Sequence, residues 1–506
     1  MASPEPAGLL AGRLVEALRA SGSFRLISGD RTWDGAALLH QATDFQRWLG
    51  KPDRPAARVL IRARNSGGYL IALLGTLIAG GVPMLLDPLT SDTALAELVS
   101  SCGVDLVLDD QSATSLPEIG DQRYRARPAG LAPTGHRASA IEHAADVPEL
   151  APDTELCRFT SGSTRTAACI EFAGSAVLAA ADSWLAASRL MAQDRLLCFA
   201  GLYNGLAFNT SLIPGLLAGA SLTLPIGLPT GGYVRRQLAA CQPTVLVAFP
   251  AIYDALAGTG TALTGVARLR LSLSSAARLS PDTARTLAVR DGVRVSDYYG
   301  LAETGPVTLD LDPVPDGGQG RPLPRAELRF AERSGYEREV WVRTPSMGTR
   351  YLNYPGGFEA KLTSDGYYRS GDEGYLRDGR LYLSGRLGKG ININGRKVSA
   401  DEIRQVLLTH PVVRDCHVLA LPDQDGQPVL GALVATTGEL TAAELRRHCL
   451  HRLAPYQIPN RILFTSAIPR SGSGKPQLAR IEQYLAEQLQ SAMPGSENQQ
   501  SVKGTS

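Results

Sequence analysis

The sequence predicts an α/β protein: a large N-terminal domain of two stacked, mostly parallel sheets plus a small β unit, and a small α+β C-terminal domain. Three observations predict it. Strand-like and helix-like segments alternate over residues 55–110 and again over 175–298, and such alternation implies right-handed crossovers and parallel strands. Residues 318–386 then shift to short, turn-rich segments with Tyr-Gly and Asp-Gly pairs. Leu387-Gly388-Lys389-Gly390 breaks the pattern, and a separate mixture of helix and strand follows over 391–490.

Taken in order, Val59-Leu60-Ile61 reads as a buried strand. Tyr69 to Ile78 has helical spacing and stops at Gly80-Gly81. Val82 to Leu86 reads as a strand, Asp92 caps a helix through Val99, and Asp105 to Leu108 reads as a strand. Residues 111–152 show no period and are expected to be irregular. Helix Ser175–Met191 precedes strand Arg195–Phe199, helix Leu206–Leu217 precedes strand Ser221–Leu224, and helix Val234–Ala240 precedes strand Thr244–Ala248. Strands Leu269–Leu273 and Arg294–Tyr298 flank a helix that starts near Pro281. Thr441 and Glu444 form a capping box for a helix with Leu445, Leu450 and Leu453 on one face. The expected divisions are 1–387, 388–490 and a polar, disordered tail over 491–506.

A net charge of +2 gives no field to draw nucleic acid or an anionic membrane. No apolar run is long enough for a bilayer span. The N-terminus lacks a basic patch followed by an apolar core, the mark of a signal peptide. Seven scattered cysteines without a CxxC pair argue for reduced thiols in a cytoplasm and against a zinc site or disulfide frame.

One run stands apart from this α/β pattern. Phe159-Thr160-Ser161-Gly162-Ser163-Thr164-Arg165-Thr166-Ala167-Ala168 gathers hydroxyl and small residues without apolar spacing, which suits a loop wrapping an anion with backbone N–H groups. The run resembles the TSGSTGxPKG signature of the adenylate-forming superfamily, which includes acyl-CoA ligases, adenylation domains and luciferases. Thr160 to Thr164 match without a gap. Arg165 then stands for Gly, Ala167 for Pro and Ala168 for Lys.

The resemblance extends through four further elements in the family's order and covers nearly the whole chain. Tyr299-Gly300-Leu301-Ala302-Glu303 resembles YGxTE. It implies that Tyr299 stacks on adenine, Asp297 lies near the adenine amino group and Glu303 holds Mg²⁺. Ala302 replaces a Thr that would reach the α-phosphate. Tyr368-Arg369-Ser370-Gly371-Asp372 resembles YRTGD, so Asp372 would take the ribose hydroxyls, and Arg386 of the Gly385-Arg386 pair would join it. Gly388 occupies the hinge position, where glycine permits wide backbone excursions. Ile393-Asn394-Gly395-Arg396-Lys397 resembles the segment that lines the CoA thiol channel after domain rotation, which implicates Gly395 and Arg396. Pro469 to Lys475 resembles PRTxSGK, whose Lys475 would bridge substrate carboxylate and α-phosphate.

The family joins a carboxylic acid to a thiol through an acyl-adenylate, with ATP, Mg²⁺ and CoA. Here the departures at 165, 168 and 302 fall where phosphate is held. One charge-assisted hydrogen bond contributes about 1.5–3 kcal/mol, so losing the Lys contact predicts roughly 10- to 150-fold weaker adenylation. The pattern points to thioester formation from an acyl-adenylate that an upstream adenylating enzyme supplies. A complete two-step ligase, transfer to a carrier protein's phosphopantetheine, and adenylate binding without turnover are the alternatives. Tyr203, Asn204, Gly205 and Asn209 are expected to border the acyl pocket, with Ser274, Ser275 and Ala276 beside it. No Asp stands at 208–211 to pair with an ammonium group, so the expected acid is an uncharged acyl or aryl carboxylate.

Overall fold

A computed structural model of the chain describes residues 8–50, 56–110, 124–144, 146–160, 167–275, 279, 281–313, 318–331, 338–386, 390–393, 396–422, 428–468 and 481. They fall into two compact units, Met1–Val398 and Ser399–Ser506. The expected site residues Ser161, Gly162, Ser163, Thr164, Ala276, Gly388, Gly395 and Lys475 lie outside the described residues, as do Arg165, the 491–506 tail and the side chain of Arg386.

The larger unit is built on two sheets. The first has eight strands in the order Arg350–Tyr351, Cys169–Ala173, Thr154–Phe159, Val82–Leu85, Arg58–Arg62, Leu106–Asp109, Arg137–His143 and Tyr124–Leu131. Its four central strands run parallel, and the outer pairs are antiparallel. The second has seven strands in the order Val295–Asp297, Leu271–Ser274, Val245–Val247, Arg195–Cys198, Ser221–Leu224, Arg25–Ser28 and Arg31–Asp34. All its pairs are parallel except the last. These strands are short apolar runs because helices or the other sheet cover them.

One core joins the two sheets. It gathers Val59, Ile61 and Leu85 from the first and Leu196, Leu222 and Leu273 from the second. The helix Gly67–Ile78 is buried along nearly its whole length. A helix apolar all round belongs inside a protein. A Cβ at Gly75 would sit 2.6 Å from the carbonyl oxygen of Ala42, so glycine there allows the close approach of the helix Gly35–Leu49. The small β unit is a four-stranded antiparallel sheet of Glu327–Phe330, Arg338–Arg343, Tyr368–Arg377 and Arg380–Arg386.

The smaller unit holds the antiparallel pair Val413–Pro422 and Pro428–Thr436, with Arg461–Thr465 added in parallel. The helix Ala442–Leu450 begins at the expected capping box of Thr441 and Glu444.

The structure corrects four expectations. Residues 124–131 and 137–143 form a hairpin on the sheet edge instead of irregular chain. Most of the outer strand is exposed, so its sequence carries no apolar alternation, and an edge strand tolerates Pro128. Ser91, not Asp92, caps the helix Asp92–Cys102, its Oγ accepting from the Ala94 N–H at 3.3 Å. Leu450 is exposed, and Cys449 takes the buried position one turn after Leu445. The helix expected over 206–217 is interrupted by a π-helical turn, Phe208–Leu212.

One knot of charge anchors the second sheet. Asp194 accepts from Arg270 (Nε 2.9 Å, Nη2 2.6 Å), from Thr244 Oγ1 at 2.6 Å and from the Met191 N–H at 2.9 Å. Burial acts to raise the Asp194 pKa, but the Arg270, Thr244 and Met191 hydrogen bonds outweigh it, and the pKa falls below 3.8. A depressed carboxylate contributes stability that is complete above the unfolded-state pKa and is lost as pH falls through the lower folded one. Asp194→Asn should therefore lower stability at pH 7, with the gap to wild type closing below about pH 4. Urea unfolding at a series of pH values checks this.

Candidate active site

The strand Thr154–Phe159 turns back antiparallel into Cys169–Ala173, and the hydroxyl-rich run joins them. The described ends of the run are pinned. The Thr160 N–H donates to the Ala168 carbonyl at 2.9 Å, and the Ala168 N–H donates to Thr160 Oγ1 at 2.9 Å. Asn353 clasps the same end: Oδ1 accepts from the Cys169 N–H at 2.8 Å, and Nδ2 donates to the Ala167 carbonyl at 3.0 Å. Ala168 and Ala302 both pack against the main core.

Glu171 ties this strand pair to the rest of the site. It is fully buried and accepts from Arg350 Nε at 2.6 Å, Thr154 Oγ1 at 2.7 Å and the Ala151 N–H at 2.7 Å. The residue after Arg350 is Tyr351, whose hydroxyl donates to Glu303 Oε1 at 2.8 Å. Tyr351 and Tyr368 hydroxyls lie 3.0 Å apart, and Lys361 Nζ is 3.0 Å from the Tyr368 hydroxyl. Burial first, and the Glu303 charge second, push both tyrosines above the usual phenol range, so they stay protonated and donate.

Two of the expected nucleotide-binding residues meet directly. The Tyr299 hydroxyl donates to Asp372 Oδ2 at 2.7 Å, and both residues are buried. Asp372 stands opposite Arg386 in the strand register. Gly371 has φ of +72°, a left-handed turn that glycine adopts without strain. Asp297 ends its strand and accepts from Gln319 Nε2 at 3.2 Å. Gly300 is packed closely, since a Cβ there would lie 2.9 Å from the Gly305 carbonyl oxygen.

On the acyl side, Asn204 caps the short helix that begins at Gly205, its Oδ1 accepting from the Leu206 N–H at 2.9 Å. The π-helical turn that follows carries Phe208 and Asn209, and such turns often mark functional sites. Asn209 lines a narrow cleft with Phe208, Phe172, Gly305 and Ser346. Ser274 and Ser275 are buried at the end of a neighbouring strand. Tyr203 lies beside Arg396, whose Nη2 is 3.3 Å from its hydroxyl and whose Nη1 is 2.9 Å from Asp87.

Sequence reasoning missed Tyr351, Lys361, Gln319, Asn353 and Arg158. The first four lie in ordinary strand and turn contexts. Arg158 carried a weak signal: a charge following two apolar residues, Leu156 and Cys157, in a partly buried strand.

The fold and these residues define an α/β enzyme of nucleotide-binding type. Residues 17–352 match the AMP-binding enzyme family and residues 402–475 the AMP-binding enzyme C-terminal domain. The chain belongs to the AMP-binding enzyme family. It is 27% identical over 482 residues to an anthranilate–CoA ligase of Pseudomonas aeruginosa, covering 89% of this chain and 90% of that one. It is 25% identical over 492 residues to a malonate–CoA ligase of Arabidopsis thaliana, covering 88% and 81%. A solved malonyl-CoA ligase with methylmalonyl-CoA and AMP bound superposes with a TM-score of 0.74 at 27% identity, covering 92% of this chain and 99% of that one.

Removing the buried carboxylate at Glu171 leaves Arg350 and two strand-end donors without their acceptor. Breaking a buried pair costs about 3–5 kcal/mol. Arg350 is 38% exposed, which places Glu171→Ala at the lower end, about 3 kcal/mol. Denaturant unfolding of both proteins measures the difference.

Proposed function

We infer that this ligase forms thioesters from an acyl-adenylate made by a partner enzyme, and that its own ATP-dependent adenylation is weak. The observation that carries the reading is the fate of position 168. Its backbone is held by Thr160, yet its side chain is a methyl group packed against the core. In the family pattern a lysine stands there for the β- and γ-phosphates. Ala302 likewise turns apolar at the position expected to reach the α-phosphate.

Thioester formation needs neither contact. The thiol sulfur attacks the acyl carbon, the bond to the phosphate oxygen breaks, and AMP leaves. That half requires the nucleotide and the acyl carbon to be held and water to be kept out. Tyr299 would stack on adenine, with Asp297 near the amino group. Asp372, which accepts from the Tyr299 hydroxyl, would take the ribose hydroxyls with help from Arg386. Gly395 and Arg396 would border the thiol path after rotation about a hinge at Gly388. Small carboxylic acids, as acyl-adenylates, and CoA are the substrates this reading requires.

One observation favours a second reading, the complete two-step ligase. The Glu303 carboxylate is held in place by Tyr351 and offers the hard oxygen that Mg²⁺ prefers, and Mg²⁺ is satisfied by one or two carboxylates with substrate phosphates. Among the described residues there is no three-residue metal cluster, so Glu303 would act with phosphate oxygens. Bound Mg²⁺ would neutralise phosphate charge. Lys475 is retained in sequence and would serve the same half-reaction.

The two readings separate on ATP–pyrophosphate exchange. With a panel of carboxylic acids the protein should show little exchange, while a synthetic acyl-adenylate with CoA gives thioester. Ala168→Lys should raise exchange by roughly 10-fold or more if the missing charge is the main loss. Robust exchange by the unmodified protein establishes the two-step ligase instead. Asp372→Ala should weaken AMP binding by roughly 10-fold or more, read by calorimetry.

A further inference from the structure

The described residues include three buried arginines, and two of them are matched with oxygen. Arg62 pairs with Asp109 and Asp92, and Arg58 donates to the carbonyls of Cys102 and Pro148. The third, Arg158, is only 4% exposed, and its side chain makes no ion pair within the described residues. Its Nε has no acceptor. The aromatic faces of Phe208 and Phe172, at 5.1 and 5.8 Å, are its partners.

Burial pulls the Arg158 pKa down to about 10, opposed by Tyr298, Tyr69 and Glu303, so the guanidinium remains charged at neutral pH. A desolvated charge left without an oxygen partner is costly. The fold nevertheless makes room for it. A Cβ at Gly205 would lie 2.8 Å from Arg158 Nη2. Arg158 also lines the same cleft as Asn209. The Arg158 Nε thus sits buried beside that space without an acceptor.

We propose that Arg158 is the specificity-determining cation of the acyl pocket, taking an oxygen acceptor on the acid at the end remote from its reacting carboxyl. The inference rests on the reading of this cleft as the acyl site. A second carboxylate fits best, because a guanidinium can hold it with two parallel hydrogen bonds, and a ketone oxygen shares the same chemistry more weakly. The acceptor belongs to the remote end for a geometric reason. Phe172, Ala176, Val177 and Ala180 wall this part of the cleft with apolar groups. AMP and the thiol must both reach the reacting carbon, which therefore cannot sit there. Asn209 in place of an acid removes a partner for an ammonium group, and Arg158 supplies the opposite charge. The uncharged acid expected from the sequence is thereby replaced by one carrying an acceptor oxygen.

The test uses the full-length protein and non-hydrolysable acyl-sulfamoyl adenosines, matched in chain length and ending in carboxylate, ketone or methyl. Calorimetric affinities should favour the carboxylate-ended compounds over their methyl-ended counterparts by about ten-fold or more, with the ketones between. Arg158→Met should erase that preference without weakening the methyl-ended compounds, and Arg158→Lys should keep part of it. Equal affinity for oxygen- and methyl-ended compounds in the unmodified protein overturns the inference, whether or not the variants fold. Alike binding of all compounds sinks this inference alone. Binding of none sinks the acyl-adenylate reading on which it rests.

Discussion

The ion pair between buried Glu171 and half-exposed Arg350 ties the site together. Glu171 belongs to the strand that leaves the hydroxyl-rich run, and Arg350 precedes the tyrosine that donates to Glu303. Sequence separation between the partners is 179 residues, so one contact fixes the strand pair against the segment that carries the site's acid. Without it, Thr154, the Ala151 N–H and the guanidinium would each lack the acceptor they now share. The positions of Ala168, Asn353 and Glu303 all descend from that junction.

Among the described residues, buried charge is mostly met by groups of opposite polarity. Arg62, Arg58, Asp194 and Glu171 are each surrounded by groups of opposite polarity, as low dielectric demands. Arg158 departs from that pattern among aromatic rings in the cleft beside Asn209. Unpaired donors inside a fold are tolerated where a ligand completes them. On the proposed reading, the apolar Ala168 and the buried Arg158 would be opposite adjustments of one site, less grip on polyphosphate and more on the acid.

The fold was largely legible because it rests on local pattern. Apolar strand runs at 59–61, 195–198 and 245–247 and the helix over 67–78 state their own periods. The edge hairpin at 124–143 was hidden because solvent on its outer face removes alternation. The π-helical turn was hidden because its extra residue leaves composition unchanged. For the proposed site, Tyr299, Asp372 and Glu303 were named from motifs, since Gly turns and hydroxyl runs are written locally. Tyr351, Lys361 and Gln319 could not, because their roles come from partners tens of residues away in the chain. Arg158 was legible in principle, as a charge in a partly buried strand, but the motif two residues later drew the reading away from it.

The central claim is that the second half-reaction outlives the first. It is tested most directly by one competition under single-turnover conditions. The same acyl group is offered with CoA either as synthetic acyl-adenylate or as free acid with ATP and Mg²⁺, and thioester formation is timed in each. The account predicts fast thioester formation from the adenylate and a rate from acid and ATP slower by roughly 10-fold or more, set by adenylation. Equal rates from the two sources would contradict it, and would mean that a methyl group at position 168 costs the ATP half nothing.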